Sequence, residues 1–424
     1  MPIYDTGAID NKRTPRTTRL SVRVTNSGHY FATVGIQVYK IVNSGAGFGN
    51  RTFTAINLVG LSSIDSPNST FTIDDLPADF DTFGVRVITS ELGGNNIAIS
   101  ITETKSNNTQ STTYTTGNMT VVDELLFVYV TNFGGNSVTV YDTGTNTVVK
   151  EIPVGLNPIY PAFTPDGTKA YITMNGDNSV TVVDTATNSV IKTFPVGNAP
   201  LAAAITPDAT KGYVANSGEN TITLFSTATN TPIGSPIIVG DSPSGLTISP
   251  DGKRVYVTLQ SENAVAIVDT ATNTVEDKLI VGTNPSFIDL SPDGTRGYVT
   301  NELDNTVSII DTTQNTVLDT TIPVGVKPIG IIVSPDGSRA YVGSETDGTV
   351  TVINLITNTI MGTPIPVGPN PVIVAITPDG SKVYVPSIGN NTITVIDTTT
   401  NTVTATLPAG LNPSVITITP ILLF

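Results

Sequence analysis

Few residues of this chain could do chemistry, and their types limit what that chemistry is. The 424 residues include no Cys and a single His, His29, so thiol nucleophiles and His/Cys metal sites are excluded by count. His29 lies outside the repeated part of the chain described below, so no Ser–His–Asp arrangement can form within the repeats. We also find no phosphate-binding loop and no dinucleotide fingerprint. What remains is the oxygen chemistry of carboxylates.

Five carboxylates recur at one position of a repeated sequence unit. They are Asp177, Glu219, Glu262, Asp304 and Asp347. Gly135 and Asn390 stand at this position in the two other copies. We call the five the acidic crown, because equivalent positions of a repeat fall on one face of the molecule. Two interpretations are open: solubility and protection of strand edges, or docking of a basic partner or of divalent cations.

Two other acidic features stand apart from the acidic crown. Asp289 lies in "PSFIDLS", where the other copies carry Ala, Thr or Ile, and it is a candidate for binding a cation or a ligand near a central channel. The alternative is a carboxylate satisfied by backbone amides or water. The segment "DDLPADFDTFG" suggests a calcium loop with Asp79 and Asp81 as ligands. The EF-hand interpretation fails because Ser90 stands where the final Glu is required, so Ca²⁺ is considered only at an irregular site.

The elements that must position these residues follow from a sevenfold repeat. Its marker tyrosines, spaced by 42 or 43 residues, are Tyr129, Tyr171, Tyr213, Tyr256, Tyr298, Tyr341 and Tyr384. A period of this length, built only of strand and turn signals, fits the four-stranded blades of a propeller. The first copy lacks a first strand, and "NPSVITITP" at the end of the chain supplies it. We therefore predict an all-β, seven-bladed β-propeller over residues 124–424, closed by both chain ends.

Basic residues also repeat, at the start of the second strand of most copies. They are Lys169, Lys211, Arg254, Arg296, Arg339 and Lys382. In an antiparallel hairpin these positions face the end of the third strand, where Asp recurs. We expect cross-strand ion pairs there, each contributing about 0.2–1 kcal/mol when exposed.

The repeated motifs resemble those of a known family. "YVTN" at Tyr129–Asn132 and Tyr298–Asn301, with repeated "TPDG" or "SPDG" and "VIDT", resembles the YVTN family of β-propellers over residues 125–420. That family is known from surface-layer-type proteins and is related to seven-bladed lactonase-like propellers. The resemblance implies the fold and says little about function, because function depends on sites rather than on folds.

The first 123 residues do not share the repeat. Six or seven alternating segments predict a small antiparallel β-sandwich or jelly roll over residues 18–104, followed by a Ser/Thr/Asn-rich linker or hairpin arm over residues 105–123. Residues 1–17 are predicted to form a flexible basic arm. The basic residues of this assembly arm are Lys12, Arg13, Arg16 and Arg19. The opening sequence also resembles that of β-rich spore-surface proteins of Bacillus-like bacteria.

Charge restricts the partners. Residues 1–123 carry nine basic and ten acidic side chains, whereas residues 124–424 carry 11 basic and 25 acidic side chains. An acidic body of this kind argues against nucleic-acid binding, which needs Lys and Arg to neutralise phosphates. The apolar runs are far shorter than a membrane span requires, so we expect no membrane insertion.

The sequence alone favours a non-enzymatic surface or envelope protein. In this interpretation the N-terminal β-domain anchors or assembles, and the acidic propeller is a rigid binding head at the cell or spore surface. Its partners would be other proteins, copies of itself or a surface glycan, with no cofactor required and no catalytic residues. The alternative is a soluble ligand-binding or lactonase-like propeller enzyme that uses the channel mouth, with Asp289 as its first candidate residue.

Overall fold

Strands make up nearly all of the regular structure in this computed structural model. It describes residues 126–420 with their side chains and, before them, the backbone of ten strands. The chain divides into two compact units. One comprises Met1–Glu124 with Pro378–Gly380 and Leu423–Phe424, and the other comprises Leu125–Thr377 with Ser381–Leu422. Among the described residues, no helix is long and apolar enough to cross a membrane.

The N-terminal unit contains two antiparallel sheets. Its strands are β1 (Ile3–Asp5), β2 (Ile9–Asp10), β3 (Thr17–Asn26), β4 (Ala32–Val42), β5 (Asn50–Leu61), β6 (Thr70–Pro77), β7 (Thr82–Thr89), β8 (Ile97–Lys105), β9 (Gln110–Thr115) and β10 (Thr120–Val121). One sheet has the order β10-β1-β7-β4-β5, with β2 also paired to β7, and the other has the order β6-β3-β8-β9.

Several predicted features fall on this unit. Strands β1 and β2 lie within the segment predicted as a flexible arm, and Arg19 belongs to β3. Strands β8 and β9 pair as a hairpin where the sequence predicts a linker or hairpin arm. The assembly-arm residues Lys12, Arg13 and Arg16 and the candidate calcium ligands Asp79 and Asp81 lie outside the described residues.

The second unit is built from seven four-stranded units arranged as blades. Blades 1 to 4 use β11 (Phe127–Asn132), β12 (Ser137–Asp142), β13 (Val148–Pro153), β14 (Pro158–Phe163), β15 (Lys169–Met174), β16 (Ser179–Asp184), β17 (Ser189–Pro195), β18 (Pro200–Ile205), β19 (Lys211–Asn216), β20 (Thr221–Ser226), β21 (Thr231–Pro232), β22 (Ile237–Ile238), β23 (Pro243–Ile248), β24 (Arg254–Leu259), β25 (Ala264–Asp269) and β26 (Thr274–Ile280). A single 3-10 turn, Gln260–Glu262, follows β24.

Blades 5 to 7 repeat the pattern. Their strands are β27 (Pro285–Leu290), β28 (Arg296–Asn301), β29 (Thr306–Asp311), β30 (Thr316–Pro323), β31 (Pro328–Val333), β32 (Arg339–Ser344), β33 (Thr349–Asn354), β34 (Thr359–Ile360), β35 (Ile365–Pro366), β36 (Ala375–Ile376), β37 (Lys382–Ser387), β38 (Thr392–Asp397) and β39 (Thr402–Pro408). In blades 3 and 6 the outer strand is interrupted, so two short pieces pair with the third strand.

The two ends of the propeller sequence close the ring, as predicted. The last strand, β40 (Pro413–Ile418), pairs antiparallel with β11, and Thr417 lies opposite Tyr129. Blade 1 therefore has the order β13-β12-β11-β40, with its innermost strand contributed from the far end of the chain. The prediction of a seven-bladed β-propeller closed by both chain ends is confirmed. Closure gives β11 a partner on both sides, β12 and β40, so it is not left as an open edge that could pair with another chain.

The repeated tyrosines hold neighbouring blades together. Most of them are fully buried, and the hydroxyls of five donate to the side-chain oxygen of an Asn in the next blade. These bonds join Tyr129 to Asn188, Tyr171 to Asn230, Tyr213 to Asn273, Tyr341 to Asn401 and Tyr384 to Asn146. Each of these Asn residues has a φ of 50–57° in the turn after the third strand, a conformation that Asn tolerates better than most residues. Tyr and Asn together form the structural ring of the fold, called the tyrosine ring below.

The repeated bases also act between blades, which corrects the expected ion pairs. The predicted register is present, and Arg296 does pair with Asp311 at 2.5 Å. The other bases donate instead to a Thr carbonyl oxygen of the next blade. These bonds join Lys169 to Thr227, Lys211 to Thr270, Arg254 to Thr312, Arg339 to Thr398 and Lys382 to Thr143, at 2.6–3.4 Å. These bases therefore contribute to the joints between blades.

The ring has two faces. The PDG face carries the turns between the first and second strands and between the third and fourth. The crossover face carries the turns between the second and third strands and the crossovers that enter each innermost strand. Tyr160 and Phe287 stack with ring centroids 5.9 Å apart and planes at 26°. They belong to the innermost strands of blades 2 and 5, which are not neighbours, so the contact crosses the channel.

Candidate functional site

The acidic crown lies on the crossover face, and four of its five carboxylates accept a backbone N–H from the crossover entering their own blade. The N–H groups belong to Leu156 for Asp177 (2.6 Å), Asp241 for Glu262 (2.8 Å), Thr283 for Asp304 (2.6 Å) and Val326 for Asp347 (2.6 Å). Glu219 occupies the same turn of blade 3 and is exposed. The crown carboxylates therefore have an architectural role, and docking of a basic partner or cations on them stays a prediction.

A glycine makes this carboxylate contact possible. A Cβ atom on Gly325 would lie 2.6 Å from Ser344 Oγ and 2.7 Å from Asp347 Oδ2, both too close for any real contact. The same holds for Gly197, where a Cβ would lie 2.6 Å from both Asn216 Cγ and Glu219 Oε2. In the five blades with a crown carboxylate, the Gly of "VG" thus leaves room for that carboxylate above the end of the second strand. This explains why "VG" precedes the crossover in most copies.

Asp289 sits on β27, as the sequence placed it, with both carboxylate oxygens on backbone amides. Oδ1 accepts the N–H of Leu290 at 2.9 Å, and Oδ2 accepts the N–H of Val333 in blade 6 at 2.8 Å. Burial raises the pKa of Asp289 to about 7, although the two N–H bonds act in the opposite direction. Its side chain is half-buried because it faces the narrow channel rather than open solvent.

The position of Asp289 along its strand limits its role. It is the fifth residue of β27, whereas Phe287 of the aromatic stack is the third, and the strand begins at the crossover face. A molecule entering from that face meets Phe287 and Tyr160 first. The contacts of Asp289 match the expectation of a carboxylate satisfied by backbone amides, and its role as a channel ligand stays a prediction.

A second ring of residues surrounds the channel mouth on the crossover face. It consists of the residue that follows each second strand: Phe133, Asn175, Ser217, Gln260, Glu302, Glu345 and Ile388. In six blades the backbone N–H of this residue donates to the carbonyl of the residue immediately before the innermost strand of the same blade, and in blade 7 Ile388 donates to Asn370, just before the bridge residue Pro371, all at 2.9–3.1 Å. We call these seven residues the mouth ring. Unlike the tyrosine ring, it has a different side chain in almost every blade.

In blades 5 and 6 two residues of the mouth ring form a charged cluster with a neighbouring lysine. Lys327 Nζ forms an ion pair with Glu345 Oε2, and the amide of Asn284 donates to Glu302 Oε2. Lys327 also lies close enough to Glu302 for their charges to interact across the interface between the two blades. The Lys327 side chain is 42% exposed and that of Glu345 is 23% exposed, so solvent reaches the cation. We call Glu302, Lys327 and Glu345 the mouth cluster.

Lys327 has a backbone conformation that is costly for its type. Its φ is 60°, in the left-handed region, where the equivalent residues are Asn157, Ala199, Ser242, Asn284, Asn370 and Asn412. A long L-residue in this region costs roughly 1–2 kcal/mol, and Asn costs less because its side chain bonds locally. Strain of this kind persists where the surrounding structure holds it, often at functional sites.

The two glutamates of the mouth cluster differ in environment. Burial raises the pKa of Glu302 above its ordinary 4.5; Lys327 opposes that shift and the charge of Glu345 adds to it. The hydrogen bond to Glu345 raises the pKa of Lys327 above its ordinary 10.5, so the lysine stays charged. A half-buried carboxyl whose pKa is raised, lying beside a fixed cation, is the kind of group that serves as a general base in enzymes.

Sequence reasoning missed the mouth cluster, although a signal was present. Comparing the copies position by position shows Glu302 and Glu345 where other copies have Phe, Asn, Ser, Gln or Ile. The same comparison shows Lys327 where the others have Asn, Ala or Ser. The sequence analysis looked for polar residues that repeat from copy to copy, and it therefore selected the acidic crown, whose carboxylates have an architectural role.

A polar groove on the PDG face is a weaker candidate. It encloses about 430 Å³ between blades 4 and 5 and is lined partly by Asp251, Lys253, Arg254 and Glu276. Arg254 Nε bonds Glu276 at 3.1 Å and Lys253 bonds Asp251 at 3.3 Å, so both cations are already paired. No group of three or more acidic or His residues suited to a metal occurs among residues 126–420.

Comparison with known proteins identifies a related family. A family model described as "Lactonase, 7-bladed beta-propeller" matches residues 127–281, which span blades 1 to 4. No curated protein matches the chain.

Solved structures with this fold include proteins of different activities. Hydrazine synthase of Kuenenia stuttgartiensis is 26% identical with a TM-score of 0.59, over 64% of this chain and 92% of that chain. A functionally unknown protein from Desulfotomaculum acetoxidans is 22% identical with a TM-score of 0.61, over 69% of this chain and 98% of that chain. A Bacteroides uniformis protein proposed to be a 6-phosphogluconolactonase is 18% identical with a TM-score of 0.61, over 70% of this chain and 100% of that chain. At these identities the likeness supports the fold.

The match to the lactonase model corrects the function predicted from sequence. The prediction of a non-enzymatic surface or envelope protein is wrong, as is the prediction that the chain is not an enzyme. The matching family favours the alternative of a lactonase-like propeller, and nothing among the comparisons supports a surface-layer or spore-surface role. The error arose because chemical diversity was judged from the repeated residues, which hold the blades together, rather than from the positions that vary.

Proposed function

We propose that this propeller is a lactonase-like hydrolase that opens a cyclic ester at the crossover-face mouth of its channel. The observation that carries the proposal is the mouth cluster, in which a half-buried glutamate and a charged lysine face one another across two blades. The lactonase model supports the reaction class through blades 1 to 4. The mouth cluster lies in blades 5 and 6, outside the matched residues, so the residue roles rest on the geometry.

In the proposed reaction the carboxylate of Glu302 takes a proton from a water molecule whose oxygen attacks the lactone carbonyl carbon. The negative charge that develops on the carbonyl oxygen faces the ammonium of Lys327. The ring C–O bond then breaks, and the proton held by Glu302 passes to the leaving alkoxide oxygen. The product is the open hydroxy acid, and Glu302 returns to its carboxylate form.

Two neighbours position these groups. Glu345 holds Lys327 Nζ by their ion pair and keeps it charged. Asn284 donates to Glu302 Oε2 and orients that carboxylate towards the lysine. The tyrosine–phenylalanine stack beneath the mouth stops a ligand from passing into the channel.

The test is hydrolysis of a panel of γ- and δ-lactones by the purified full-length chain. Glu302→Gln should lower kcat/KM by roughly 10²–10⁴-fold, the range typical of a lost general base. Lys327→Asn should lower it by roughly 10²–10³-fold, as for a lost oxyanion partner. Gln260→Ala, at the equivalent mouth-ring position of blade 4, is the matched control and should keep full activity.

The pH profile gives an independent check. Because Glu302 must be deprotonated to act, kcat/KM should rise with pH through a midpoint above the ordinary 4.5, and Glu302→Gln should remove this limb. Wild-type rates equal to buffer on every lactone, or equal losses in Gln260→Ala and Glu302→Gln, would refute the proposal.

Other expectations from the sequence stay proposals. We propose that the seven copies are YVTN-type repeats, on the motifs that they share. The expected surface location, the protein, self or glycan partners, the absence of nucleic-acid and membrane partners, and an irregular calcium site stay predictions.

A further inference from the structure

We infer that the substrate of this site carries no anionic group and is an uncharged, hydroxyl-bearing lactone. The inference rests on the proposed function and specifies its substrate class. A phosphorylated or carboxylated lactone would approach the same mouth as a neutral one. The charge around the mouth therefore decides whether an anionic or a neutral lactone binds better.

The crossover face is strongly acidic near the mouth. Among residues 126–420, its turns and crossovers carry Asp177, Glu219, Asp241, Glu262, Glu302, Asp304, Glu345 and Asp347. They meet only two cations at this face, Lys278 and Lys327. A mouth lined mainly by one sign of charge focuses the field and repels ligands of the same sign.

Each lysine is already paired with a carboxylate, so neither pair adds net positive charge that would bind an anionic group of the substrate, although a paired ammonium can still face the charge that develops on a carbonyl oxygen. Lys278 Nζ lies 2.7 Å from Glu262 Oε2, and Lys327 is paired with Glu345. Phosphate recognition usually needs uncommitted Lys or Arg groups, or a row of backbone N–H groups. The crossover N–H groups that could serve are already bonded to crown carboxylates, as at Val326 and Asp347.

The remaining cations of the propeller are held on its other side. Apart from Arg296, which pairs with Asp311, the bases at the starts of the second strands donate to Thr carbonyls in the turns between third and fourth strands, as Lys169 does to Thr227 at 2.9 Å. Lys150 and Lys192, on outer strands, donate to carbonyls of the same turns at 3.1 and 2.9 Å. The basic charge thus serves the joints between blades at the PDG face and leaves the mouth acidic.

The mouth suits a ring that bears hydroxyl groups. Asn175 and Ser217 in blades 2 and 3, and Glu302 and Glu345 in blades 5 and 6, place polar side chains at the mouth. Carboxylate and amide oxygens accept hydrogen bonds from hydroxyls. Beneath them, the stacked rings of Tyr160 and Phe287 form an aromatic floor for the C–H face of a sugar-like ring.

The test compares glucono-δ-lactone with its 6-phosphate under identical conditions. We expect kcat/KM at least tenfold higher for the neutral lactone at about 0.01 M salt. The ratio should shrink at about 1 M salt, where the Debye length falls from about 30 Å to about 3 Å.

A pair of variants locates the cause of the discrimination. Asp304→Asn removes one crown charge near the mouth and should raise kcat/KM for the phosphate ester alone. Asp319→Asn removes the same charge from the exposed outer strand β30 and should change neither substrate.

The outcomes separate this inference from the function on which it rests. Equal or faster hydrolysis of the phosphate ester would overturn the inference and leave the hydrolase proposal standing. Hydrolysis of neither gluconolactone, while another lactone of the panel is opened, would overturn the inference alone, and hydrolysis of no lactone at all would overturn the hydrolase proposal and the inference with it. A preference for the neutral lactone that is unchanged both at about 1 M salt and in Asp304→Asn would support the uncharged substrate class and would overturn the acidic mouth as its cause.

Discussion

The tyrosine ring and the mouth ring lie on the same strands and follow opposite rules. The seven tyrosines stand near the middle of the second strands, and most are fully buried between blades. Three residues beyond their "YVTN" tyrosine, the strands end, and the next residue belongs to the mouth ring, where Phe, Asn, Ser, Gln, Glu and Ile all occur. The first ring repeats a residue type and the second repeats only a backbone bond.

This difference separates architecture from function in a repeat protein. A side chain that joins each blade to the next must be the same in every blade, because every joint has the same geometry. A side chain that faces the channel mouth contacts a ligand at one place and is free to differ. When the copies of a repeat are aligned, the residues that occur in only one or two copies are therefore the better candidates for chemistry.

The largest expected effect separates the two rings by stability. Tyr213→Ala should lower the free energy of unfolding by about 3–5 kcal/mol, since it empties a fully buried site. Gln260→Ala in the mouth ring should change it by no more than about 0.5 kcal/mol. Urea or guanidinium unfolding of both variants would measure this. Similar losses of stability in the two variants would show that the tyrosine ring and the mouth ring do not differ in their structural role.

The pH dependence of stability tests Asp289. Its pKa is raised to about 7 from the ordinary 3.8, so between these values the folded protein binds more protons than the unfolded chain. The stability contributed by its protonation is present below pH 3.8 and is lost as pH rises through about 7, with a slope of up to about 1.4 kcal/mol per pH unit. Asp289→Asn should remove this slope, whereas Asp319→Asn should retain it. Parallel profiles for Asp289→Asn and wild type would show that the pKa of Asp289 is not raised in the folded protein.

A smaller change probes the hydrogen bond of the tyrosine ring alone. Tyr213→Phe keeps the buried ring and removes the 3.0 Å bond to Asn273. We expect a loss of about 0.5–1.5 kcal/mol, the usual net contribution of one hydrogen bond. Thermal and chemical unfolding would measure it, and lactone hydrolysis should be unchanged. A loss of activity in this variant would show that the two rings are coupled.

The smallest expected effect is an increase in stability. Lys327→Asn should raise the free energy of unfolding by a few tenths of a kcal/mol, because it relieves a left-handed lysine and gives up only a partly exposed ion pair. The reverse exchange in blade 7, Asn370→Lys, should lower stability by a similar amount. A marked loss of stability in Lys327→Asn would make this lysine structural rather than functional.

Much of the fold was predictable because the signals are local and repeated seven times. The period, the strand order within a blade and the register of Arg296 opposite Asp311 all follow from alternation and turn residues. The acidic crown was also found, but its interpretation was incomplete. That Asp347 accepts the N–H of Val326 depends on a crossover 21 residues away, which no periodicity describes.

The sequence by itself determined the number of blades and the closure of the ring, since the missing first strand of blade 1 is visible at the end of the chain. Only the tertiary structure decided that Glu302, Lys327 and Glu345 meet at one mouth. They come from two blades, and blade packing around a closed channel brings them together. The local alternation of residues and the turn residues specify which strands pair. The distances between side chains of different blades are set only when the blades pack into the closed ring.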